Sequence, residues 1–173
     1  MKQLLLVSAS VLVFASVSAA PWRRHTIDAS SSGADGARLM DVNGDGYQDI
    51  ATGWEEGGVV RAYLHPGYMN VKGAWPAVTV GKVRKPEDAV FVDLDSDGSV
   101  DVVSACEGQT KTIYVHWAPK DRAKYLSPRA WTTEAIPVTA HREAWMFVLP
   151  LDVDGKDGID LVVGSKGEGA SIS

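Results

Sequence analysis

Hydrophobic positions along this chain fall in short runs, and three of those runs are interrupted in the same way. Apolar residues from Ala37 to Met40 lead into the acidic segment DVNGDGYQD at 41–49, after which Ile50-Ala51-Thr52-Gly53 resumes a β-type pattern. The sequence repeats itself at 93–101 (DLDSDGSVD), between Ala89–Val92 and Val102-Val103-Ser104-Ala105. A third copy, DVDGKDGID at 152–160, lies between Trp145–Leu151 and Leu161-Val162-Val163-Gly164. Trp22, Trp75 and Trp131 precede the three segments at nearly constant distance, each followed five positions on by Ile27, Val80 or Ile136. A further β-type run follows the first two copies, at Val59–Leu64 and Thr112–Trp117, ending at Pro66 and Pro119. No helical periodicity of useful length is present. The pattern therefore predicts an all-β chain in which about 50 to 60 residues form one unit of four antiparallel strands, the content of a propeller blade.

The acidic segments carry the most specific chemistry. In the first, side-chain oxygens fall at positions 1, 3, 5 and 9 (Asp41, Asn43, Asp45, Asp49), and in the second at Asp93, Asp95, Asp97 and Asp101. Position 7, Tyr47 or Ser99, would offer a backbone carbonyl, while Gly46 and Gly98 at position 6 permit a sharp turn. A hairpin turn needs one Asp. Four carboxylates in nine residues repel, at about 4 kcal/mol for each pair held ~4 Å apart at an effective dielectric of 20, so a bound cation is expected. Hard oxygen donors without Cys or His select Ca²⁺. An EF-hand is excluded because position 12 is Thr52, Ser104 or Val163 rather than Glu, and the flanks are strands. In the third copy Lys156 takes position 5 and the Asp-Gly pair slips to Asp157-Gly158, leaving Asp152, Asp154 and Asp160 in place. Either Asp157 substitutes with an altered turn, or the Lys156 ammonium partly replaces the metal.

Residues 1–20 read as a secretory signal peptide: Lys2, an apolar run from Leu4 to Phe14, and small residues up to Ala19 and Ala20. The run is too short to span a bilayer of ~30 Å, and no second hydrophobic segment follows it, so the protein is expected to be secreted, periplasmic or at the cell surface, without a transmembrane segment after cleavage. The remainder, 21–173, is expected to be propeller. A net charge of −5, more negative by one once Lys2 leaves with the leader, argues against nucleic acid as a partner. Cys106 is the single cysteine and reads as a small buried strand residue.

The strand, D-x-[DN]-x-D-G-x-x-D loop, second strand and closing third strand resemble the FG-GAP/VCBS repeat of integrin α-subunit propellers and of many exported bacterial proteins. The phenylalanine-glycine and glycine-alanine-proline signatures of integrins are absent, so the resemblance is to the broad bacterial class. It implies a seven-bladed propeller with calcium loops on one face, each joining the innermost strand of a blade to the next strand. It implies Asp41, Asn43, Asp45, Asp49, Asp93, Asp95, Asp97 and Asp101 as ligands, with Asp152, Asp154 and Asp160 less regular. Fewer than three blades fit in the chain, so further blades or another domain of the same protein are expected beyond it.

Two functional classes follow: a binding, adhesion or scaffold module for a carbohydrate or cell-surface protein, or the propeller portion of a secreted polysaccharide lyase or sugar dehydratase. The first is favoured because no nucleophile constellation is visible. Ser165 in GSKGEG is not a nucleophile elbow. His25, His65, His116 and His141 are scattered, although His65 and His116 lie near one blade position. Trp54, Trp117 and Trp145 could stack on sugar rings, although core packing is the commoner reason for a Trp in a strand. Acidic residues at the starts of the innermost strands, Asp35, Glu87 with Asp88, and Arg142 with Glu143, are expected on the face opposite the loops, as a rim for polyhydroxylated or cationic ligands.

Overall fold

The computed structural model describes residues 22–173, so the expected signal peptide lies outside the described residues. The first sheet is a four-stranded meander of β1 (Ala34–Met40), β2 (Asp49–Trp54), β3 (Val59–Tyr63) and β4 (Ala77–Gly81). The second repeats it with β5 (Pro86–Val92), β6 (Asp101–Cys106), β7 (Thr112–Trp117) and β8 (Thr132–Ala135). The third has β9 (Ala144–Leu151) and β10 (Asp160–Lys166), with Ser171 and Ser173 hydrogen-bonding to Ser165 and Val163 of β10. All named pairings are antiparallel, and the three sheets do not close into a ring.

The sheets stack through two apolar layers, and the middle sheet is buried on both faces. This is why β5 reads Ala-Val-Phe-Val without a polar alternation. Ala89 and Phe91 join Val60, Ala62, Val78 and Val80 in the layer against the first sheet, while Val90 and Val92 join Trp145, Val148 and Val163 in the layer against the third. Cys106 is wholly buried in the first layer, and burial pushes its thiol up to about 12, so it is protonated and inert at neutral pH. On the faces turned away from the middle sheet, Leu39 of β1 and Phe147, Leu149 and Leu151 of β9 are exposed.

The structural blade is offset by one strand from the sequence repeat. The strand that begins after Trp75, β4, pairs with β3 of the preceding unit, and the one after Trp131, β8, pairs with β7. The tryptophan landmark thus opens the fourth strand of one sheet rather than the first strand of the next. Trp22 and Ile27, in the same register, form no strand: residues 22–33 are irregular up to β1 and Trp22 is 99% exposed. This segment joins no sheet among the described residues. It instead runs beside the first sheet, where Ile27 O accepts from Trp75 N at 3.2 Å and Asp28 meets Arg61 and Tyr63.

Candidate metal centre

Each acidic segment leaves the innermost strand of its sheet and returns on the second strand, so the three loops lie at the same end of their sheets. Their winding comes from left-handed backbone at two positions. Gly44 and Gly46 (φ 79° and 86°) supply it in the first loop, and Ser96 and Gly98 (59° and 87°) in the second. A serine in that region stores about 1 kcal/mol or more of strain, which the surrounding hydrogen bonds must hold. In the third loop Gly155, Asp157 and Gly158 are left-handed (73°, 58° and 99°). Asp157 therefore stands at position 6, where the other loops carry glycine, and not at the carboxylate position 5.

The carboxylates are folded inward by the loop's own amides. Asp41 accepts from Gly44, Asp45 and Gly46 N at 2.8, 3.1 and 2.8 Å; the Gly46 amide leads the effects that hold it below the ordinary carboxylate range. Asp93 accepts from Asp97 and Gly98 N, both at 3.0 Å. Asn43 and Asp95 at position 3 accept from the amide of position 5, and Asp45 and Asp97 from that of position 7. This convergence brings one oxygen each of Asp93, Asp95 and Asp101 within 4.8 Å of one another, and likewise of Asp152, Asp154 and Asp160. Lys156 Nζ lies 3.2 Å from Asp154 Oδ2, and Lys120 Nζ lies 3.5 Å from Asp97 Oδ2.

Position 9 does something the spacing alone could not indicate. Asp49 is fully buried, with Oδ2 accepting from Val42 N and Oδ1 from His65 N, at 2.9 and 2.8 Å. Asp101 repeats this with Leu94 N and Ala118 N, at 3.3 and 2.8 Å. Each carboxylate ties its loop to the exit of the third strand. Burial raises Asp49 and pushes Asp101 up to about 6, against those hydrogen bonds. Two buried carboxylates held only by backbone amides, beside two or three more carboxylates, make an all-oxygen set that fits a hard divalent cation. Asp160 keeps the Val153 amide at 2.9 Å and is exposed.

The comparisons agree with the repeated loop and strand order: residues 41–104, from the first residue of the first loop into β6, match the model of the FG-GAP-like repeat. The chain thus carries one stretch, 41–104, that is similar to an FG-GAP-like repeat. No curated protein matches the chain. Among the described residues, no helix is long and apolar enough to cross a membrane.

At the opposite end of the sheets, the expected acidic rim divides. Asp35 and Arg142 are exposed, and Glu143 is half-buried, accepting from the Ser165 and Ser171 hydroxyls. Asp88 is not on the rim. It is 1% exposed, accepts from Arg38 Nε and Nη2 of β1 at 3.0 and 2.8 Å and from Val148 N of β9 at 3.2 Å, and so braces the innermost strands of all three sheets. The irregular pairing between Pro86 and Asp88 changes which way the side chain points. Glu87 keeps a half-buried place beside Glu55 and Glu107, two residues that the starts of inner strands could not reveal because they follow β2 and β6. Burial, reinforced by Glu107, pushes Glu87 up to about 7. Lys85 pairs with Glu55 at 2.8 Å and Lys166 pairs with Glu107, so the cluster already carries its own cations.

The remaining candidates pack the sheets. His116 is sealed between Ser104 and Thr133 hydroxyls, both 2.9 Å away, and burial lowers it to about 3, so it is neutral. It pairs with Val102 where Tyr63 pairs with Ile50, so the residue matching His116 in the first blade is Tyr63 and not His65. Trp54 Nε1 donates to Tyr63 Oη, Trp145 Nε1 to Thr139 O, and Trp117 Nε1 to Glu134.

Proposed function

We propose that this protein is an exported calcium-binding module of β-propeller type, which presents rigid loops to a carbohydrate or cell-surface protein. The observation that supports calcium is the convergence of position 1, 3 and 9 oxygens in the second and third loops, with Asp49 and Asp101 buried and, among the described residues, no side-chain cation on either. Bound calcium would neutralise these carboxylates and cross-link each loop. In the first loop Asp41, Asn43, Asp45, Asp49 and the Tyr47 carbonyl would hold it. In the second, Asp93, Asp95, Asp97, Asp101 and the Ser99 carbonyl would do so, and in the third Asp152, Asp154 and Asp160, with Lys156 weakening the site. Affinities in the extracellular range of about 10⁻⁴ to 10⁻³ M are expected. Export rests on the leader at 1–20 and predicts a mature N-terminus close to Pro21.

A binding role is favoured over catalysis because the Ser104–His116 pair is sealed in the core, its imidazole pressed where a side chain on Gly81 would stand. The test is thermal melting in EDTA and in millimolar calcium, with magnesium as control. Calcium at ten times its dissociation constant should add about 1.4 kcal/mol per loop. A melting temperature unmoved by either treatment refutes the calcium reading.

A further inference from the structure

The first two loops are joined by a side chain from neither of them. The connection between β7 and β8 reaches both: the ammonium of its Lys120 meets Asp97. Asp121 then caps a single 3-10 turn, Arg122–Lys124, by accepting from Ala123 N at 3.1 Å. The turn sets Arg122 between the loops: Nη1 donates to Asn43 O of the first at 3.3 Å, and Nη2 to Gly98 O of the second at 3.4 Å. Asn43 carries the position 3 oxygen of its loop, and Gly98 is the left-handed residue next to Asp97 of the other. A guanidinium is a planar, rigid fork, so one group on both carbonyls fixes the spacing of the two loops. The connection between β3 and β4 completes its blade without any such turn, so the strap is not a requirement of the blade.

We propose that Arg122 is a positioning residue that couples the two metal loops, so that a divalent cation in one raises the affinity of the other. A loop that wraps a cation gives up conformational freedom, and a loop already held by an ordered neighbour has less to lose. Both hydrogen bonds are long and the side chain is exposed, so the coupling belongs at the low end of the ordinary range, about fivefold. The proposal rests on the calcium reading above.

The experiment titrates the protein with calcium and follows the amide resonance of Gly98, whose N–H donates to Asp93 inside the second loop. The first loop is disabled with Asp41→Ala, in the Arg122 background and again with Arg122→Met or Arg122→Lys. With Arg122 present, Asp41→Ala should weaken the second site about fivefold; with methionine it should change nothing. Lysine keeps the charge but not the fork and should also uncouple the loops. Equal effects of Asp41→Ala in the arginine and methionine backgrounds overturn the proposal while leaving calcium binding standing. So does a lower melting temperature for Arg122→Met with coupling intact, which would make Arg122 a packing residue only. Coupling retained by lysine overturns the bridge. A Gly98 resonance that calcium never moves removes the metal reading and this proposal together.

Discussion

Replacing Asp88 should destabilise the whole stack of sheets. The carboxylate is 1% exposed, bound by two guanidinium nitrogens of Arg38 and by the Val148 amide, so Asp88→Ala removes one acceptor from two neighbouring sheets at once. Losing one partner of a buried pair costs about 3 to 5 kcal/mol when the other stays buried. Here the Arg38 side chain is 45% exposed and can turn to water, which lowers that part to the value of charge-assisted hydrogen bonds, about 1.5 to 3 kcal/mol. The Val148 amide is left buried without its acceptor, at about 1 to 3 kcal/mol. Together these give about 2.5 to 6 kcal/mol for Asp88→Ala. Asp88→Asn keeps an acceptor and should cost about half as much. Arg38→Ala leaves a carboxylate buried without its cation and should cost at least as much as Asp88→Asn. Denaturant unfolding at saturating calcium measures all three. A change below about 0.5 kcal/mol for Asp88→Ala would show that the brace is not energetically coupled to the stack. The result also guards against a false inference, because a ligand lost on Asp88→Ala would be lost through unfolding and not through a rim contact.

Asp49→Ala should destabilise the protein by about 2 to 4 kcal/mol even in EDTA, since it orphans the Val42 and His65 amides, whereas Asp95→Ala should matter only when calcium is present; melting in both conditions separates them. Gly81→Ala should cost about 3 kcal/mol or more in denaturant unfolding, because its Cβ would stand 2.1 Å from the buried His116 ring. Asp28 is opposed by burial but held down to about 2 by Ser30, Tyr63 and Arg61, against 3.8 ordinarily. A carboxyl lowered in the folded state stabilises above pH ~4, and that contribution, about 2 kcal/mol, disappears as pH falls from ~4 to 2. Asp28→Asn should flatten this part of the stability profile, and an unchanged slope would refute the assignment.

The loops and the strands around them were legible because three constraints coincide there: an acidic spacing that a turn alone does not need, glycines at the turn, and flanking β-type runs. The burial of β5 on both faces could be read from Val90-Phe91-Val92. Asp88 could not be placed, because an irregular pairing at Pro86 and Asp88 breaks the alternation from which a side chain's direction is inferred. The second role of Asp49 and Asp101 was hidden for another reason: their partners, His65 and Ala118, lie across the sheet, and an amide leaves no mark in a sequence. Position 4 was missed because Ser96 adopts a left-handed conformation that its residue type does not advertise. The tryptophan register was correct as a period and misleading as a boundary, since a period fixes spacing but not phase.

That phase has a consequence for how such a chain can be divided. Because β4 follows Trp75 yet closes the sheet begun by β1, a cut made at the tryptophan would strip one sheet of its outer strand and hand the next a strand it cannot pair. The viable seams are the links after the fourth strands, at 82–85 and 136–143. Any insertion, shuffling or duplication of these units that keeps every sheet whole must break there, so the natural joints of the polypeptide lie about one strand downstream of the boundaries its lettering suggests.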